Sequence, residues 1–176
     1  MRVYSALSAL VVALALATNT ASAQVSGNMT VNTTVGAALA VSAAGGAAGQ
    51  LRFGTLAQGA ASTTVLPSDA TAGRFDVIGI ASTALDITFT ALPATLNGPA
   101  GATIAVTNYQ ACFTATTVNA GCAAQGITVG PSMTGGPALS AGGVGYVWIG
   151  ATLGAIGAGQ TTGAYTGTLS IQIVAL

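Results

Sequence analysis

Asp69, Asp76 and Asp86 are the only acidic side chains in this 176-residue chain, and Cys112 and Cys122 are its only thiols. Proton transfer, nucleophile activation and metal ligation each need titratable groups held close together. A pair of carboxylates could hydrolyse a glycosidic bond if the fold set them a few ångströms apart on either side of it. Clustered oxygens could hold calcium, but no D-x-D-x-D run is present. Zinc is disfavoured because there is no His and no second Cys pair. A redox role is disfavoured because the spacing is not C-x-x-C. A Ser or Thr nucleophile lacks a base, since the chain has neither His nor Lys, and no G-x-S-x-G elbow occurs. The reading is of a protein that is not an enzyme, with no catalytic residues, no metal and no cofactor.

Each of these residues has a structural role that needs no chemistry. Pro67 to Gly73 (PSDATAG) reads as a turn in which Asp69 caps backbone N–H groups. Arg74 and Asp76 share one face of a strand and can pair. Cys112 and Cys122 form a disulfide if the chain enters an oxidising compartment.

The N-terminus supports that destination. Arg2 precedes an apolar run from Ala6 to Ala17, and Ala21-Ser22-Ala23 fits a small-x-small cleavage site. Residues 1–23 therefore read as a signal peptide, and the apolar run of about 12 residues is short of a membrane span. Removing 23 of the 176 residues leaves 153, enough for one domain over 24–176. The expected destination is the cell surface or the extracellular space, by way of the periplasm, with no transmembrane anchor.

Only Arg52 and Arg74 remain as cations after Gln24, so nucleic acid is excluded as a partner. A surface covered by Thr, Ser, Asn, Gln, Gly and Ala has little charge repulsion to keep copies apart. It suits self-association or packing against related surface subunits.

The elements that carry these residues alternate with period two. Phe75, Val77 and Gly79 oppose Arg74, Asp76, Ile78 and Ile80. Leu85, Ile87 and Phe89 oppose Asp86, Thr88 and Thr90. Ile104 and Val106 oppose Thr103, Ala105 and Thr107, and Leu169, Ile171 and Ile173 oppose Thr168, Ser170 and Gln172. Each pattern fits a strand with one buried face, and short strands between Gly/Pro breaks predict an all-β sandwich or barrel. Gly-rich segments at 43–49, 97–101, 130–143 and 154–163 are expected as loops, the third being the loosest. Ala37 to Ala48 is Ala-rich, but its glycines argue against a helix.

The longest uncharged alternation is at the mature N-terminus. From Val25 to Val35 the odd positions are Val25, Gly27, Met29, Val31, Thr33 and Val35, and the even ones are all Ser, Asn or Thr. Residues 24–36 read as a strand that either completes its own sheet or is added to a neighbour's. Val25, Met29, Val31 and Val35 are the candidate groove-filling side chains. Trp148, in the run Tyr146 to Leu153 (YVWIGATL), reads as a core residue. It is also the candidate contact in the alternative reading, a monomeric adhesin-like module that binds carbohydrate or another surface ligand.

Three stretches carry a family resemblance: Leu51 to Leu56 (LRFGTL), Tyr146 to Leu153, and Gly163 to Thr168 (GAYTGT) followed by an alternating strand to Leu176. Together they resemble the domain-of-unknown-function 4402 family of secreted bacterial proteins. More distantly they resemble chaperone–usher fimbrial subunits and spore-coat-protein-U-like pilins. The resemblance implies an immunoglobulin-like, pilin-like antiparallel β-sandwich with a fimbrial role in cell adhesion. A periplasmic chaperone would then be a partner in transit, and no catalytic residues follow. The Cys112–Cys122 pair and the Ala175-Leu176 ending depart from the pilin pattern. Within the motifs, Phe53 can plug the core while Gly54 turns the backbone. Tyr165 can bury its ring between Gly163 and Gly167 and keep its hydroxyl bonded.

Overall fold

The computed structural model describes residues 39–176. The predicted signal peptide, the strand at 24–36 and its candidate residues Val25, Met29, Val31 and Val35 lie outside the described residues.

The described chain is all-β and antiparallel, with two short 3-10 turns at Gly46–Gly49 and Pro99–Gly101. Its strands are β1 (Ala40–Ala43), β2 (Thr63–Val65), β3 (Gly73–Ile78), β4 (Leu85–Ala91), β5 (Thr95–Asn97), β6 (Thr103–Thr114), β7 (Gln125–Gly126), β8 (Val144–Leu153) and β9 (Ser170–Ala175). The main sheet runs β1-β3-β8-β6-β5, with β2 added to β8 and β7 to β6; β4 and β9 form a separate two-stranded sheet.

The alternation decides which faces meet. Val77 from β3, Ala111 from β6, and Val147 and Ile149 from β8 pack against Leu85, Ile87 and Phe89 from β4, forming the principal core. Phe89 and Ile87 are 0 % exposed, so the two sheets enclose them completely. A second cluster of Ile104, Val106, Ala151, Leu153 and Ile156 continues the inner layer toward the far end. On β9 the same alternation holds, but Leu169, Ile171 and Ile173 are only half-buried.

The outer face of the main sheet carries a third cluster. Trp148 stands across from Cys112 in the β6–β8 register and packs with Val65 and Ala72. The Cys112–Cys122 disulfide is formed, with Cα atoms 6.0 Å apart. It ties the loop after β6 to this face, where Asn119 Nδ2 donates to the carbonyls of Pro67 (2.9 Å) and Asp69 (3.0 Å). Among the described residues no helix is long and apolar enough to cross a membrane.

Two features differ from the expectation. The segment 130–143, expected to be the loosest loop, is stitched along β4. Gly130 N–H donates to Phe89 O, Met133 N–H to Ile87 O, and Leu85 N–H to Pro137 O. It contributes Met133 and Leu139 to the core, so burial of two large aliphatics outweighs the freedom of its glycines. β6 is interrupted between Thr107 and Gln110 by a register shift, and there Asn108 takes φ +49°, a left-handed position that Asn tolerates.

Candidate functional site

The three carboxylates are not brought together. Asp69 sits in its turn, where Oδ2 accepts the Leu66 N–H at 2.7 Å. Asp76 accepts from Arg74 Nε at 2.6 Å and Nη2 at 3.2 Å. Asp86 lies on β4 facing away from the core, and its Oδ1 has no hydrogen-bond partner among the described residues. Asp76 and Asp86 therefore point outward from opposite sheets, and packed sheets are already about 10 Å apart. That is too far for two carboxylates to flank one bond. Among the described residues no group of three or more His, Cys, Asp or Glu could hold a metal ion.

Trp148 is 7 % exposed and belongs to the outer-face cluster, as its place in a strand suggested. Its indole Nε1 donates to Thr114 Oγ1 at 2.9 Å. The Arg74 guanidinium carbon stands 5.2 Å from the Trp148 ring centroid and 5.3 Å from that of Tyr146. Arg74 thus covers the ring through cation–π contact while its charge is met by Asp76. With its N–H bonded and its face covered, Trp148 offers no stacking surface to a sugar.

The concave feature lies on the other face of the main sheet. A cavity of about 1070 Å³ opens between residues 49–58 on one side and 160–169 on the other. Its floor is apolar: Phe75 from β3, Ile104 and Val106 from β6, and Ile149 and Leu153 from β8. Each points inward by the alternation of its strand. The first wall is Leu51 to Gln58, which has no regular secondary structure and is tied to the body by Arg52 N–H to Thr71 O at 3.0 Å. Phe53 does fill the junction of two clusters, and Gly54 turns beside it with φ +79°.

The second wall is held by Tyr165. Its hydroxyl donates to Thr161 O (2.6 Å) and accepts from Gln160 Nε2 (2.8 Å). Its ring lies flat on Gly98, where any Cβ would stand 2.5 Å from ring atoms Cδ1 and Cζ. Asn97 and Thr166 exchange backbone hydrogen bonds at 2.8 and 3.0 Å, which pins this wall to β5. Gln58 reaches across the mouth, donating from Nε2 to Gln160 O. Tyr109 contributes from the β6 bulge, donating its hydroxyl to Pro93 O at 2.7 Å. Burial pushes its phenol up to about 12, because the ionised form would lose its hydration.

β9 continues directly from the second wall. β4 is its single strand partner among the described residues, and the other edge of Ser170–Ala175 has no strand partner among them. The groove therefore has an apolar floor and runs on into a strand edge that has no second partner among the described residues.

Sequence reasoning had marked Phe53, Gly54 and Tyr165 but not Tyr109, Leu96 or Ile156, which also line the groove. Ile156 is the one large aliphatic inside the Gly-rich run 154–163, and that isolation was a usable signal. Comparison with protein-family models, with curated proteins and with solved structures finds no match.

Proposed function

We propose that this protein is a non-catalytic, exported structural subunit of the bacterial cell exterior that polymerises by β-strand addition. The observation that carries the reading is the groove itself: an apolar floor beside a strand edge that is unpaired among the described residues, in a sheet with two described strands. A third strand beside β9 would pair the free backbone groups and cover Leu169, Ile171 and Ile173, which one neighbour leaves half-buried.

Residues 25–35 have the pattern such a site requires. Eleven extended residues span about 33 Å, more than enough to pair along the six residues of β9. Val25, Met29, Val31 and Val35 of one subunit enter the groove of the next, and their polar neighbours face solvent. Backbone hydrogen bonds supply affinity, and the alternating side chains fix the register. The completed domain is then an immunoglobulin-like sandwich, in line with the resemblance to fimbrial subunits. The closed Cys112–Cys122 bridge is compatible with passage through an oxidising compartment.

Replacement of Val31 by Asp places a charge in an apolar groove and is expected to abolish polymers while export continues. Val31→Ile, which keeps the apolar contact, is expected to retain them. Polymers of normal length from Val31→Asp would overturn the proposal.

A further inference from the structure

The disulfide lies behind the first wall of the groove. Leu51 and Phe53 of that wall pack on the outer-face cluster of Val65, Ala72, Cys112 and Trp148, and Cys122 packs on the same cluster. Leu51 also packs against both inner clusters, so the wall is placed by contacts from both faces of the main sheet. It runs close beside the first residue of β3: a Cβ on Gly73 would stand 2.9 Å from Leu51 N.

A chain of hydrogen bonds joins the bridge to the wall. Cys122 N–H donates to Asn119 O at 3.1 Å, which closes a turn between the bridge and Asn119. Asn119 Nδ2 donates to Pro67 O and Asp69 O, both in the turn between β2 and β3. Asp69 O also accepts the Ala72 N–H at 3.1 Å. Thr71 O, in the same turn, accepts the Arg52 N–H that ties down the wall. Residues 115–118 are exposed, and among the described residues no other hydrogen bond links this loop to the β2–β3 turn. Asn119 can grip the turn only while its loop is held in place, and the bridge is what closes that loop.

We propose that the Cys112–Cys122 bridge is a redox latch for the groove. Oxidised, it holds Asn119 against the β2–β3 turn, and the turn holds the first wall. Reduced, the loop swings free and the wall loses its tie. The bridge is acted on and turns nothing over. Its chemistry is thiol–disulfide exchange with an external disulfide. Cys112 is 1 % exposed and Cys122 is partly exposed, so Cys122 is the point of entry. The Cys122 thiolate attacks the external disulfide, forms a mixed disulfide and expels one external thiolate. The Cys112 thiolate then attacks Cys122 Sγ, closes the bridge and expels the second. Two electrons pass to the external disulfide, and the two protons lost by the cysteines end on the two external thiols. Opening by an external dithiol runs the same steps in reverse. Control of assembly by this latch rests on the strand-addition reading above; the latch itself does not.

The test uses the mature chain, oxidised or held in excess dithiothreitol, with amide hydrogen exchange followed residue by residue. Reduction is expected to speed exchange at the Arg52 amide about tenfold more than at the Met133 amide, which is bonded to Ile87 O on β4. A purely global loss of stability would speed Met133 as much or more, and that result would overturn the latch. Asn119→Ala keeps the bridge and removes the relay. It is expected to give the same selective rise at Arg52, and it decides the matter even if the reduced chain unfolds. An Arg52 amide that stays protected in this variant would overturn the latch. Assembly is read separately, on an unboiled denaturing gel of chain refolded with and without dithiothreitol. A ladder from the oxidised chain and none from the reduced chain is expected. Ladders from both would overturn control of assembly by the bridge. Absence of a ladder from both would overturn strand addition, while exchange at Arg52 still decides the latch.

Discussion

Substituting Gly98 by Ala tests how the groove wall is held. Gly98 has φ −121° and ψ −170°, extended values that any residue adopts, so Ala introduces no backbone strain. The difficulty is space, since the new methyl would stand 2.5 Å from Cδ1 and Cζ of Tyr165, where carbon atoms normally keep about 3.5–4.0 Å. The ring must move by more than 1 Å, which breaks hydroxyl bonds of 2.6 and 2.8 Å to Thr161 and Gln160. Overpacking of this kind costs about 1–3 kcal/mol, and each lost bond about 0.5–1.5 kcal/mol. The sum is about 4 kcal/mol, or a fall of about 2 M in the urea midpoint for a slope near 2 kcal/mol/M. Trp148 is the single tryptophan and is buried, so its emission reports unfolding directly. The decisive measurement is a double-mutant cycle. With Tyr165→Ala already in place, Gly98→Ala is expected to change stability by less than about 0.5 kcal/mol, because the clash is gone. Additive losses in the double variant would refute the contact as the cause.

Three further outcomes follow from the same structure. Removing the disulfide with Cys112→Ala and Cys122→Ala releases a loop of sequence separation 10 and is expected to cost about 2.7 kcal/mol in the chain-entropy treatment; an unchanged urea midpoint in reductant would contradict this. Arg74→Ala uncovers Trp148 and Tyr146 and breaks the Asp76 pair, with an expected loss of about 1–2 kcal/mol and a red shift of Trp148 emission; emission that stays fixed would show that another group shields the ring. Tyr109 stays neutral in the fold up to about pH 12, whereas the unfolded phenol ionises near its ordinary 10.0. Above pH 10 the unfolded state therefore binds fewer protons than the native state, and stability falls between pH 10 and about 12. Tyr109→Phe should flatten that fall, and an equally steep loss in the variant would assign it elsewhere.

The strands were legible because burial on one face leaves a period of two. The alternations at 75–77, 85–89 and 104–106 coincide with the residues that form the core. β9 was equally legible as a strand, but the half-burial of Leu169, Ile171 and Ile173 goes with a single strand partner among the described residues, and pairing is a property of topology. The segment 130–143 is a loop, as expected, but its place in the core was not legible, because Met133 and Leu139 stand six residues apart among Gly and Pro with no period to mark them. The groove is assembled from β3, β6, β8 and two irregular walls, so no single stretch announces it. Trp148 was read as core from its strand, while its cover, Arg74, comes from a cross-strand pairing of β3 with β8 that composition does not disclose.

The most direct test is the size of the native mature protein on a denaturing gel, run with and without boiling. Each subunit completing the next subunit's core makes dissociation require unfolding, so the account predicts a ladder unboiled and one monomer band boiled. A single monomer band under both conditions would contradict strand exchange between subunits.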